Sequence, residues 1–100
     1  MSEIARRTIT VVTPCFNEEA NVEDCHASLA AVFAKSLPGY ALEHVFCDNA
    51  STDGSVEVLR ALAAADPTLK VVVNARNYGP FRSTFNGLRH ATGDAVVVMF

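Results

Sequence analysis

Apolar residues in this chain come in short blocks separated by polar turns. The first block, Thr8–Thr13, is β-branched throughout and stops at Pro14. That reads as a strand buried on both faces, because the run is too short for a buried helix and Pro14 brings no N–H to a central ladder. Ala20–Lys35 then changes period: Val22, Cys25 or His26, Leu29, Val32 and Phe33 fall on one helical stripe. Acidic residues crowd the start of that helix and Lys35 its end, as the macrodipole favours. Pro38–Gly39 ends it, and Leu42–Cys47 is the second strand.

The plan repeats. Asp48–Ser55 is turn chemistry, with Asp53 or Ser55 placed to cap a helix over roughly Val56–Ala65 that buries Val56, Leu59 and Leu62. Lys70–Asn74 is the third strand and Ala75–Gly79 a loop. Pro80 suits the first turn of a third helix, whose apolar stripe is Phe81, Phe85, Leu88 and Ala91, with Gly93 as its carboxyl cap. Ala95–Phe100 is the fourth strand. The order βαβαβαβ with apolar strands predicts a Rossmann-like α/β fold: a parallel sheet with helices on both faces.

Composition narrows the function. One hundred residues make one domain, and half of them are apolar, enough for a core. A net charge of −3 with scattered Lys and Arg argues against a nucleic-acid phosphate binder. Three cysteines without CxxC spacing predict free thiols in a reducing cytosol rather than a metal site with His26. No apolar run is long enough to span a bilayer. The fourth strand's run breaks off at Phe100, which predicts that residues 1–100 are the truncated first portion of a longer domain, and that the exposed end of that strand makes the chain associate with itself.

Ligands of open α/β sheets sit outside the carboxyl ends of the strands. The loops expected there offer Phe16, Asn17, Glu18 and Glu19, then Asp48, Asn49, Ser51, Thr52 and Asp53, then Arg76, Asn77 and Gly79. An aromatic ring, carboxylates and amides, and an arginine suit a nucleotide: ring contact for the base, hydrogen bonds for base and ribose, a cation for phosphate. Neither GxGxxG nor GxxxxGK[ST] occurs, so the grip comes from side chains and a divalent ion rather than a glycine cradle.

The motifs TPCFNEEANV, CDNASTDGS and RNYG followed by ATGDAVVVM resemble those of the inverting family 2 glycosyltransferases with a GT-A fold. They are most similar to the branch that transfers a sugar to a polyprenyl phosphate, such as dolichyl or undecaprenyl phosphate. The resemblance implies the nucleotide-binding half of that fold and a nucleotide-diphosphate-sugar donor. It also implies a lipid-phosphate acceptor at the cytoplasmic face of the membrane and Mg2+ or Mn2+ as cofactor. It places Pro14, Phe16 and Glu18 beside base and ribose, Asp48 and Asn49 at the second-loop aspartate pair, and Arg76 or Arg82 near the diphosphate. Phe16 stands for the usual tyrosine and Asn49 for an aspartate. Phe100 falls where relatives carry the first aspartate of a D-x-D metal motif. The catalytic base and most metal ligands are expected beyond this stretch, so residues 1–100 alone are expected to be inactive.

Simpler roles compete at several positions. Glu19 suits a helix start, Asp53 a cap and Asp48 a turn, while His44 and His90 read as surface residues. The alternative to a glycosyltransferase is a non-catalytic nucleotide-binding or structural α/β module.

Overall fold

A computed structural model describes residues 6–99. The first five residues and Phe100 lie outside that range, and with them the expectations attached to Phe100. The elements are β1 (Arg7–Cys15), α1 (Val22–Ser36), β2 (Tyr40–Asp48), α2 (Ser55–Ala65), β3 (Leu69–Val73), α3 (Gly79–Leu88) and β4 (Ala95–Val98). The four strands form one parallel sheet in the order β3-β2-β1-β4, as the alternation of elements predicts.

Side-chain alternation along each strand feeds two cores. Cys15, Phe46 and Leu69 face α1 and α2, where Val22 and Leu59 pack on them. Val12, Val45 and Cys47 face α3, where Leu88 joins them. Both faces of β1 and β2 are therefore covered, which is why their sequences read as continuous apolar runs.

Four sequence expectations change. First, β1 runs through Pro14, which pairs with Cys47. The N–H of Met99 bonds the carbonyl of Val12, so by alternation position 14 also turns its backbone toward β4. Among the described residues the β1–β4 ladder ends at Val12–Val98, so the missing N–H falls beyond the described ladder.

Second, α3 buries only the Leu88 end of the predicted stripe. Phe81 and Phe85 are 76% and 69% exposed, while Ser83 and Thr84 are buried. The helix lies so close to the sheet that a Cβ at Gly87 would overlap Cys47 Sγ and stand 2.6 Å from Val12. A close approach of this kind selects small residues, so the face is set by Ser83 and Gly87 rather than by the phenylalanines. On α1, Val32 likewise turns out to solvent while His26 is buried.

Third, Gly93 is not a helix cap, since α3 ends at Leu88. A Cβ there would meet the backbone N of Thr10 at 2.9 Å, so glycine is needed where the chain passes against β1. Fourth, β4 is as apolar as β1 and β2 but, among the described residues, is an exposed edge strand rather than one covered like them.

The sheet also buries charge. Glu43 accepts hydrogen bonds from Thr10 Oγ1 (2.7 Å), from the Thr92 N–H (2.8 Å) and from the Thr92 hydroxyl (2.6 Å), and pairs with Lys70 at 2.6 Å. Burial pushes its carboxyl up, but Lys70 and the Thr92 and Thr10 donors outweigh that and hold it at about 2. These contacts tie the α3–β4 connection to β1 and β2.

Candidate nucleotide site

The sheet order fixes where a ligand crevice forms. The chain steps from β1 outward to β2 and β3, then returns through α3 to place β4 on the other side of β1. β1 is thus the switch point, and the loop after it, Phe16–Asn21, borders the crevice at the carboxyl ends.

Loop one is built by Asn17. Its backbone is left-handed (φ 53°), a conformation asparagine tolerates better than other side chains. Asn17 Oδ1 accepts from the Thr52 N–H at 2.8 Å, and the Asn17 N–H donates to Ser51 Oγ at 2.9 Å. Glu19 adds a second tie: its Oε1 accepts from the Gly54 N–H at 2.9 Å. Glu19 therefore does more than favour a helix start. It fastens loop one to the entry of α2, where Asp53 Oδ1 accepts from the Ser55 N–H at 2.9 Å.

Loop two is built by Asp48, which is fully buried. One carboxylate oxygen accepts from the Ser51 N–H at 2.8 Å and the other from the Ser51 hydroxyl. The turn this closes holds Ala50 at φ 63°, a left-handed strain of about 1 kcal/mol that the carboxylate offsets. The same carboxylate, after burial itself, helps push the neighbouring Cys15 thiol up to about 12, so that thiol stays protonated. The turn role weighed for Asp48 is the one its geometry supports.

Loop three hangs on Asn49. Asn49 Nδ2 donates to Asn77 Oδ1 at 2.8 Å, while its Oδ1 accepts from Asn74 Nδ2 at 3.1 Å and from the Tyr78 N–H at 3.0 Å. Asn74 passes the network on to Ser83 and Asn86 of α3. Asn49 is 4% exposed, so its amide joins loops two and three instead of facing the crevice.

The remaining candidates point outward. Phe16 is 43% exposed, and Glu18 and Arg76 are exposed too. The Glu18 carboxylate accepts a local bond from Asn21 Nδ2 at 2.8 Å, while its backbone N–H donates to Ser55 Oγ at 3.0 Å. Arg76 lies over the Tyr78 ring, 5.0 Å from its centroid, which orients the guanidinium without neutralising it. Pro14, Glu18, Thr13, Cys15, Val22 and Phe46 line a cleft of about 230 Å3 under loop one. Whole-ligand pockets run from about 300 Å3 upward, so this cleft takes part of a ligand, not all of it. Among the described residues no group of three or more His, Cys, Asp or Glu side chains could hold a metal ion.

Sequence reasoning missed the ties that Asn17 and Glu19 make to loop two, and the His26–His44 pair. Asn17 sat in the loop inventory, and its spacing from Thr52 carries no local signal. His44, expected at the surface, is fully buried because Thr13 and His26 satisfy both its ring nitrogens.

The open parallel sheet carries bracing amides beneath outward-facing aromatic, acidic and basic groups, in a crevice at the carboxyl ends of its strands. The chain belongs to glycosyl transferase family 2, whose profile matches residues 10–99. A prophage bactoprenol glucosyl transferase homolog of Escherichia coli (strain K12) is 35% identical over 89 residues, which cover 89% of this chain and 28% of that protein. The bactoprenol glucosyl transferase of Shigella phage SfX matches with the same identity and coverage. Among solved structures, the mannosyltransferase PcManGT of Pyrobaculum calidifontis, in complex with GDP-Man and Mn2+, superposes with a TM-score of 0.71 at 30% identity. That match covers 93% of this chain and 27% of that one. Glucosyl-3-phosphoglycerate synthase of Mycobacterium tuberculosis, with Mn2+ and UDP, gives 0.67 at 30% identity, covering 93% of this chain and 33% of that one. The fold is thus that of the GT-A glycosyltransferases. The chain spans under a third of the length of the curated relatives cited.

Proposed function

We propose that this chain is the donor-nucleotide portion of an inverting glycosyltransferase. The enzyme would move a sugar from a nucleoside-diphosphate sugar to a polyprenyl phosphate at the cytoplasmic face of a membrane. The observation that carries the reading is the division of labour at the switch point. Asn17, Asp48 and Asn49 are spent on tying three loops together, and Phe16, Glu18 and Arg76 are left facing out. In that arrangement Phe16 meets the base, Glu18 takes base or ribose hydrogens, and Arg76 meets the diphosphate. The bactoprenol enzymes among its relatives support a lipid-phosphate acceptor, and the GDP-Man and UDP complexes support the donor class. In the reaction an acceptor phosphate oxygen bonds to the anomeric carbon from the face opposite the diphosphate. The bond to the diphosphate breaks and the nucleoside diphosphate leaves.

The Mn2+ of the structural relatives supports a divalent cofactor, but the described residues do not assemble a seat for it. Asp48 is committed to Ser51. No described helix is long and apolar enough to cross a membrane.

Titration calorimetry with UDP, GDP and their sugars tests the reading. Phe16→Ala and Glu18→Gln are each expected to weaken binding about tenfold, the worth of one ring contact or one charged hydrogen bond. Urea unfolding of both variants is expected to stay within about 0.5 kcal/mol of the parent, since both side chains are exposed. Binding of none of these nucleotides would sink the proposal, and full binding by both variants would remove loop one from the contact surface.

We also infer that copies of the chain associate through β4. Val96, Val97 and Val98 are 42%, 50% and 37% exposed on an edge strand, which leaves one row of backbone donors and acceptors open to another chain. Sedimentation is expected to show a mass that rises with concentration, and a strictly monomeric species at high concentration would refute it.

A further inference from the structure

On the α1/α2 face of the sheet, a file of polar side chains crosses the core. Thr13 Oγ1 lies 2.9 Å from His44 Nε2, His44 Nδ1 lies 2.9 Å from His26 Nδ1, and His26 Nε2 lies 2.8 Å from Asp66 Oδ2. The ring centroids are 5.1 Å apart at an interplanar angle of 25°. Near-coplanar rings at that separation meet edge to edge, with the two nitrogens sharing one hydrogen. The file joins two clefts: Thr13 lines the one with Pro14 and Glu18, and Asp66 lines another beside Arg6 and Tyr40.

The hydrogens in this file are not free to choose. Asp66 is ionised: the Thr68 hydroxyl first, then His26, hold its carboxyl at about 2. Its oxygen must therefore accept from His26 Nε2–H. With both rings neutral, His26 Nδ1 is then a lone pair, so His44 Nδ1 carries the hydrogen. His44 Nε2 is in turn a lone pair that accepts from the Thr13 hydroxyl.

One added proton reverses the file. The hydrogen between the rings passes from His44 Nδ1 to His26 Nδ1. His44 Nε2 gains a hydrogen from the Thr13 hydroxyl, which takes the incoming proton from the cleft. The imidazolium is then His26, facing the Asp66 carboxylate. His44 is neutral but in its other tautomer, and Thr13 now accepts from His44 with its own hydrogen free. No bond between heavy atoms changes and one proton is gained.

We propose that Thr13, His44, His26 and Asp66 form a proton-operated tautomer switch that sets whether the Thr13 hydroxyl can donate into the cleft. An oxygen-rich ligand there, such as the ribose or phosphate of a nucleotide, gains a hydrogen bond as pH falls. The ligand half of this inference rests on the function proposed above. The anion beside the file stands at the His26 end. Asp66 faces His26 from the α2–β3 connection, β2 contributes His44 and the non-ionising Phe46, and β1 contributes Thr13. The Glu43–Lys70 pair lies on the opposite side of the sheet, because position 43 alternates with position 44. Burial first, and the His26 charge second, push His44 down to about 3, in keeping with a ring that changes tautomer without taking the charge.

Nitrogen NMR of the imidazole rings, from about pH 5 to about pH 8, where imidazoles ordinarily titrate, tests the switch. His44 is expected as the Nδ1–H tautomer at the upper end and Nε2–H at the lower end. Asp66→Asn, which removes the anion but keeps the shape, is expected to move the change to lower pH by about one unit or more. A single His44 tautomer across the range, or a change that Asp66→Asn leaves in place, overturns the switch. In calorimetry, UDP or GDP affinity is expected to rise about two- to tenfold over the same fall in pH, the worth of one hydrogen bond, and Thr13→Val to flatten that rise. Nucleotide binding that is independent of pH overturns the link to the cleft. Absence of any nucleotide binding counts against the proposed function instead, and the ring-nitrogen result then decides the switch alone.

Discussion

Asn49→Ala is expected to lower the unfolding free energy by about 2–3 kcal/mol, although the position lies in a polar loop and the resemblance gives it to the ligand. The estimate follows from what the truncation leaves behind. Asn49 Oδ1 is the acceptor for the Tyr78 N–H and for Asn74 Nδ2, and its Nδ2 is a donor to Asn77 Oδ1. Asn77 keeps the Gly79 N–H and Asn74 keeps Ser83, but the part-buried Tyr78 N–H loses its partner and loop three loses its tie to β2. An orphaned buried donor costs about 1–3 kcal/mol, and the lost Asn74 and Asn77 bonds add to it. Asn49→Asp separates the possible roles further. It keeps the acceptor but sets an oxygen against Asn77 Oδ1, which cannot turn away because it also holds the Gly79 N–H at 2.8 Å. Aspartate is what relatives are expected to carry here, so asparagine in this chain is matched to Asn77. Urea unfolding of the two variants checks this. Unchanged stability with lost nucleotide binding would return Asn49 to the role the resemblance implies.

The contrast shows what sequence can and cannot carry. β-Branched runs stopped by Pro, Gly and Asx turns are local signals, and they were enough to place every strand and helix of the parallel sheet. Phe16, Glu18 and Arg76 were legible as outward-facing because polar or aromatic groups at loop tips have no nearby core to join. Burial of polar groups was not legible, since it depends on partners far along the chain. His26 and His44 are 18 positions apart, and Glu43 and Thr92 are 49. The face of α3 was misread because a stripe of phenylalanines outweighs Ser83 and Gly87 in any hydrophobicity count. Sheet contact there is decided instead by how near the backbone must come.

Stability is expected to fall by on the order of 1 kcal/mol per pH unit, about 2 kcal/mol in all, as pH drops from about 6.5 to about 4.5 because of His44. In the unfolded chain both imidazoles of the pair take up protons. In the fold His44 is pushed from 6.5 down to about 3, by burial first and by the His26 charge second. Between those values the unfolded state binds one more proton than the native state at this residue, so acid favours unfolding. The window matters because carboxylates act later. Glu43 and Asp66, held at about 2, keep their full contribution above their ordinary values of 4.5 and 3.8 and lose it only as pH falls from there toward 2. His44→Gln retains a donor for Thr13 and an acceptor for His26 but cannot titrate. Its slope over this interval is expected to be lower than the parent's by on the order of 1 kcal/mol per pH unit, read from urea midpoints at constant m. Equal slopes in the two proteins would mean that both imidazoles of the pair protonate inside the fold. That outcome would be incompatible with a ring held between Thr13 and His26, since a doubly protonated His44 would aim a hydrogen at the Nδ1–H of its charged neighbour.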